Sequence, residues 1–130
     1  MERLQKYFLA LLLIQAAHSC EEYLFRFYDA FPLIPFMAGF FHTIPQAIFF
    51  ILNCQLILFL GAVFLISFAR ERWFYFALTI FASIELLNGM VHVGTALVSL
   101  NYFPGAATGV FYIPTSIYIL LKIRKNGRAA

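Results

Sequence analysis

From Trp73 to Leu121 the sequence runs through forty-nine residues with a single charged side chain, Glu85. A soluble domain has no core large enough to enclose such a stretch and no reason to leave it in water. A membrane span needs roughly 20 mostly apolar residues at 1.5 Å rise each. The stretch divides at Asn101-Tyr102-Phe103 into two spans, about 73–100 and 104–121, and two more fit at about 4–30 and 46–69. The expectation is therefore an all-α polytopic membrane protein, a four-transmembrane-helix bundle forming one domain over residues 1–130. Composition agrees, since 63% of the residues are hydrophobic and 12% are charged. There is no internal repeat and no low-complexity tract.

The net charge of +3 is topological and does not mark a nucleic-acid partner. Eight of the nine Lys and Arg residues fall at three places: Arg3 and Lys6; Arg70 and Arg72; and Lys122, Arg124, Lys125 and Arg128. With four spans these places share one side. The other two connections, about 31–45 and 101–103, carry no Lys or Arg. The positive-inside rule then places both termini in the cytoplasm, in a plasma or inner membrane. Arg26 is the exception. Cys20 and Cys54 both fall within spans and make no disulfide framework. MERLQK, an apolar run and Ala17-His18-Ser19 have the form of a cleavable secretory signal, but we expect the segment to be kept as the first span.

Positions i, i+3, i+4 and i+7 of a helix share a face. The first span thereby groups Gln15, His18, Glu21 and Glu22, with Asp29 further along, and the third groups Glu85, Asn88 and His92. Counted from Leu4, His18 lies roughly 21 Å and Glu22 roughly 27 Å along the first helix. Counted from Arg72, Glu85, Asn88 and His92 lie roughly 20, 24 and 30 Å along the third. Both helices run outward from the cytoplasm, so the stripes share a depth in the outer half of the bilayer. The second span can bring Asn53 and Gln55 to a similar level. Ionisable residues at this depth point to function. The plainer reading is a polar network that only joins helices, with Glu22 and Arg26 as an i, i+4 ion pair.

Two imidazoles and three carboxylates suit a divalent transition metal such as Zn, Fe or Mn, whose charge offsets the glutamates. His18, Glu22 and His92 are the candidate ligands, leaving a position open as catalytic sites do. Glu21 or Glu85 then serves as general base toward water, and Asn88 as a hydrogen-bond donor. Glu21-Glu22-x-x-x-Arg26 resembles the EExxxR motif of CAAX-prenyl endopeptidase-like membrane proteases, although that family's other motifs are absent in their order.

A wider resemblance covers nearly the whole chain. His18-Ser19-Cys20-Glu21-Glu22, Asn88-Gly89-Met90-Val91-His92 and Tyr102-Phe103-Pro104-Gly105 read as HxxEE, NxxxH and YxPG. In this order, in a four-span chain, they resemble the small integral membrane proteins of the HXXEE family. The resemblance implies that His18, Glu21, Glu22, Asn88, His92, Tyr102, Pro104 and Gly105 are characteristic positions. It supplies no reaction.

Pro104-Gly105 is expected to turn the chain into the fourth helix, Gly105 and Gly109 to form a close-packing GxxxG, and Pro114 to kink that helix. Tyr102 either hangs over the site or belongs to an aromatic belt. The apolar connection 31–45, with three prolines, cannot be one continuous helix. It is either a lid or a surface anchor, with His42 in the interface. The leading reading is a metal-dependent membrane hydrolase acting on a lipid or other apolar substrate. A non-catalytic binder or carrier of metal, proton or small ligand is the alternative, as is an accessory subunit of a membrane complex. The partners expected are the bilayer and either a second copy, as a homo-oligomer, or a larger membrane complex. Haem held by His18 and His92 fits poorly beside the glutamates.

Overall fold

The computed structural model describes residues 2–66 and 71–127. Among them are six helices and no strand: α1 (Glu2–Leu24), α2 (Phe27–Ala30), α3 (Leu33–Phe40), α4 (Pro45–Ile66), α5 (Glu71–Ser99) and α6 (Ala106–Gly127). Positions 67–69 of the expected second span, and Arg70 and Arg128 of the basic clusters, lie outside the described residues.

Among the described residues three helical segments, Pro45–Ile66, Trp73–Ser99 and Ala106–Lys125, are long and apolar enough to cross a membrane. Large apolar side chains cover their outer faces, among them Leu58, Leu65, Val98 and Phe111. A monomer in water would not tolerate so much contiguous apolar surface; lipid would. Residues 2–24 form a helix of comparable length, but Gln15, His18, Glu21 and Glu22 make its second half more polar.

The first helix is shorter than the span expected at about 4–30, and among the described residues the four expected helices are six. α1 ends at Leu24 rather than running to about residue 30. Arg26 takes a left-handed backbone (φ 60°, ψ 37°), which no helix interior accommodates, and α2 restarts the chain in a new direction. Local bonding holds the turn, with Arg26 Nε and Nη2 each 2.8 Å from Asp29 Oδ2. Arg26 therefore pairs with Asp29 across an exposed turn and not with Glu22.

The connection 31–45 is likewise more ordered than a loop. Pro32 caps α3, Pro35 sits in its first turn and Pro45 opens α4. These are places where a missing N–H costs nothing. Ile34 and Ala38 of α3 pack with Tyr28 against Ile48 and Phe49, fastening α2 and α3 onto the start of α4. Leu33, Phe36 and Phe40 face outward.

Heptad-like spacing explains the core. Leu4, Phe8, Leu11, Gln15, His18 and Glu22 are all buried along one stripe of α1. Its apolar half packs with Leu60 of α4, Phe74, Leu78 and Phe81 of α5, and Tyr112 and Ile119 of α6. On α5 the buried stripe continues from Phe74, Leu78 and Phe81 to Glu85 and His92. The face that makes the core at one end thus carries imidazoles and carboxylates at the other.

α5 and α6 form the most extensive helix pair. A Cβ on Gly89 would come within 2.8 Å of Gly109 O, so the small-residue contact joins Gly89 to Gly109. Gly105, the other glycine of the expected GxxxG, lies before α6, as does Pro104, and serves the site instead. α6 continues through Pro114 to Gly127, past the expected end near residue 121.

Candidate metal centre

His18 and Glu22 stand one turn apart on α1, and His92 reaches them from α5. The Nε2 atoms of both imidazoles lie 3.4 Å from the same oxygen, Glu22 Oε1. The three potential ligand atoms lie within 4.8 Å of one another, and all three residues are buried. The two rings meet edge to face, with centroids 4.8 Å apart.

Their other nitrogens are held in place, and the partners fix the tautomers. His92 Nδ1 is 2.5 Å from the Pro104 carbonyl, which can only accept, so Nδ1 carries the proton. His18 Nδ1 is 2.6 Å from Thr108 Oγ1. That hydroxyl donates its own proton to Glu21 Oε2 at 2.6 Å, so it accepts from His18 Nδ1–H. Asn88 Nδ2, 3.2 Å from His18 Nε2, donates to a nitrogen left with its lone pair. In their neutral forms both imidazoles therefore turn unprotonated Nε2 atoms toward the same carboxylate oxygen. Hydrogen bonds of this kind orient metal-binding histidines.

Glu21 lies on α1 beside these ligands but points elsewhere. Its Oε1 accepts from the Tyr102 hydroxyl and from the N–H groups of Gly105 (3.1 Å) and Ala107 (3.0 Å). Its Oε2 accepts from the N–H of Thr108 (2.8 Å) and from its hydroxyl. A carboxylate here meets the unpaired N–H groups and positive dipole end of α6. Glu21 therefore pins the start of α6 to α1, bringing Pro104, Gly105 and Thr108 against the two histidines. Loss of water around its hydroxyl and the hydrogen bond to Glu21 push the Tyr102 phenol well above its usual range, keeping it a donor.

Gly105 is required by shape. Its φ is +88°, and an added Cβ would lie 2.5 Å from His92 Nδ1 and 2.6 Å from His18 Cε1. Glu85 is buried on α5, its Oε2 3.4 Å from Asn88 Nδ2. A polar chain continues from the site toward α4: Tyr112 donates to Gln15 Oε1 (2.8 Å), Gln15 to Ser19 (3.0 Å) and Ser19 to Asn53 Oδ1 (2.6 Å). Gln55 faces outward and takes no part. Phe27 and Phe103 close over the His92 ring, with centroids 5.2 and 5.4 Å away.

Of the residues singled out in the sequence, the fold brings together His18, Glu22, His92, Asn88, Glu85, Pro104 and Gly105. Glu21 and Tyr102 sit one layer behind, on the start of α6, and Arg26 stands apart. Thr108 was not foreseen. It is ninety residues from His18 in the chain, and a threonine in the first turn of a helix carries no signal of a distant imidazole.

The site opens into a cavity of about 770 Å³ between α1, α4 and α5, with His18, Glu22, Glu85 and Asn88 in its wall. A second cleft of about 620 Å³, between α1 and α4, is lined by Cys20 and Cys54 among others and contains no charged side chain. Residues of α3 line neither.

Glu21→Gln preserves shape but replaces a charge that receives five hydrogen bonds. Charge-assisted bonds contribute about 1.5–3 kcal/mol each, so hydrogen–deuterium exchange at Ala106–Gly109 should quicken at least tenfold. Any affinity of the His18, Glu22 and His92 group for a metal should fall by about 10–100-fold, as when other supports of ligands are changed.

No curated protein and no solved structure significantly matches the chain. Residues 9–119 do match the family described as proteins of unknown function with an HXXEE motif, a span that includes every polar group at the site. The chain belongs to the HXXEE family.

Proposed function

We propose that this protein is a membrane-embedded hydrolase acting on an apolar substrate with a carbonyl group, dependent on a divalent metal held by His18 Nε2, Glu22 Oε1 and His92 Nε2. One observation carries the reading: three buried, electron-rich atoms face one another with their protons held elsewhere. Two neutral lone pairs against a carboxylate repel, and in a poorly screened interior that repulsion is costly. A divalent cation turns it into coordination. The mixed nitrogen–oxygen set suits zinc, iron or manganese.

Bound there, the cation would supply Lewis acidity, polarising a carbonyl and lowering the pKa of water. The surrounding groups divide the remaining work. Glu85, in the cavity wall with His18 and Glu22, accepts the proton from water and returns it to the leaving atom. Asn88, released from His18 Nε2 when that lone pair is taken, donates its amide N–H to the developing oxyanion. Glu21, engaged by five hydrogen bonds, holds the scaffold rather than moving protons. Phe27 and Phe103 keep bulk water from His92.

Glu85→Gln tests the assignment. Turnover should fall by at least 10²-fold, the low end of what a general base contributes, while bound metal stays within twofold of the parent. Loss of metal together with activity would make Glu85 a structural residue instead.

In this reading α1 crosses the bilayer with α4, α5 and α6. Reporter fusions at both termini should read cytoplasmic, and tags at 31–45 and 101–103 should read external. Termini on opposite sides would mean three crossings and would take α1 out of the set of spanning helices.

A further inference from the structure

We infer that the cavity between α4 and α5 is the seat of a single acyl chain drawn from a bilayer lipid, its carbonyl at the His/Glu cluster and its tail toward Trp73. This rests on the hydrolytic reading above and gives that reading a substrate class.

Shape is the first argument. The cavity is lined along α5 from Trp73 to Val91, a length of ~27 Å at 1.5 Å per residue. Along that length the cavity holds about 770 Å³, an elongated space that accommodates a flexible acyl chain better than a compact ligand. Its length also approaches the ~30 Å hydrocarbon core of a bilayer.

Polarity is the second. The carboxylates and the imidazole lie at one end: His18 and Glu22 on α1, Glu85 on α5. Beyond them the walls are Leu60, Val63, Phe76, Ile80 and Phe81, ending at Trp73. A ligand matching this gradient has one reactive polar end and a long apolar remainder. The second cleft, between α1 and α4, offers no carboxylate or imidazole to a carbonyl.

Access is the third. α4 and α5 touch at few points, and the rim residues Phe59, Phe76, Leu87 and Val91 are exposed. The cavity is therefore open sideways, where the bilayer lies, and a lipid chain can enter without passing through water.

The chemistry balances as a hydrolysis. Water's oxygen bonds to the acyl carbon, and the bond from that carbon to the ester oxygen or amide nitrogen breaks. One water proton passes through Glu85 to the leaving heteroatom. The other is lost from the fatty acid formed, and no oxidant or reductant is needed.

The test is photo-crosslinking of the full chain in phosphatidylcholine vesicles with a palmitic acid analogue carrying a diazirine near its methyl end. Crosslinks should concentrate on Val63, Trp73 and Phe76, at least tenfold over Val98 and Phe111 on outer faces. Two substitutions then measure the cavity. Ile84→Trp, close to the cluster, should cut labelling at least tenfold. Ala77→Trp, ~10 Å further along α5, should exclude the palmitic analogue but admit an octanoic one. Phe111→Trp should change nothing. Even labelling over all lipid-facing surfaces in the parent protein would overturn the inference, whether or not the variants fold. So would folded Ile84→Trp and Ala77→Trp proteins that label as the parent does. Metal content of the same samples separates the two proposals. A labelled cavity without metal defeats only the hydrolase, and bound metal with diffuse labelling defeats only the acyl site.

Discussion

His18→Ala and His92→Ala should each strip the protein of its metal. Protein purified without chelators should carry about one divalent ion per chain, as the one group of three convergent ligands among the described residues implies. Either alanine leaves two ligands, and the occupied fraction should fall below a tenth of the parent. Thr108→Val gives the graded control. It leaves all three ligands but removes the hydroxyl that holds the His18 proton on Nδ1. Affinity should then fall by about 10–100-fold without being abolished, the range seen when a ligand's supporting hydrogen bond is lost. Inductively coupled plasma mass spectrometry of gently purified protein decides the matter. A parent protein with no metal would falsify the metal site and the hydrolase together, leaving the histidines as a neutral helix-joining network.

Gly105→Ala should be the most damaging single methyl addition in the chain. Two costs combine at this position. An alanine forced to φ +88° bears left-handed strain of about 1–2 kcal/mol. Its methyl would also press against both imidazole rings, and overpacking of this kind costs about 1–3 kcal/mol. A loss of about 2–5 kcal/mol in stability follows from adding the two. The displaced rings should also lower metal occupancy, so stability and metal content fall together. Gly61→Ala is the matched control: nothing lies within 4 Å of a Cβ there, and a helical alanine should be neutral or mildly stabilising. Thermal unfolding in detergent, followed by circular dichroism, compares the two. A Gly105→Ala protein as stable and metal-loaded as the parent would show that the α6 start does not hold the histidines.

Much of this site was legible in the chain because helical periodicity is a local property. His18 and Glu22 share a face by spacing alone, as do Glu85, Asn88 and His92, and apolar run lengths located α4, α5 and α6. The parts that escaped were those decided by backbone direction at chain turns. Nothing in FRF predicts that Arg26 becomes left-handed, yet that turn ends α1, creates α2 and hands Arg26 to Asp29. Prolines at 32, 35 and 45 excluded one long helix through 31–45 but left room for α3, because each occupies a helix start.

The division is clearest at Glu21 and Glu22, adjacent and identical in chemistry. The sequence determined that both carboxylates sit one turn above His18 in an apolar helix, where they need a cation or hydrogen-bond donors. Which glutamate receives which was settled only by tertiary structure. A step of about 100° along α1 points Glu22 at two imidazole lone pairs and Glu21 at the free N–H groups of α6. Periodicity fixes the angle between neighbouring side chains, but only packing decides what stands in each direction.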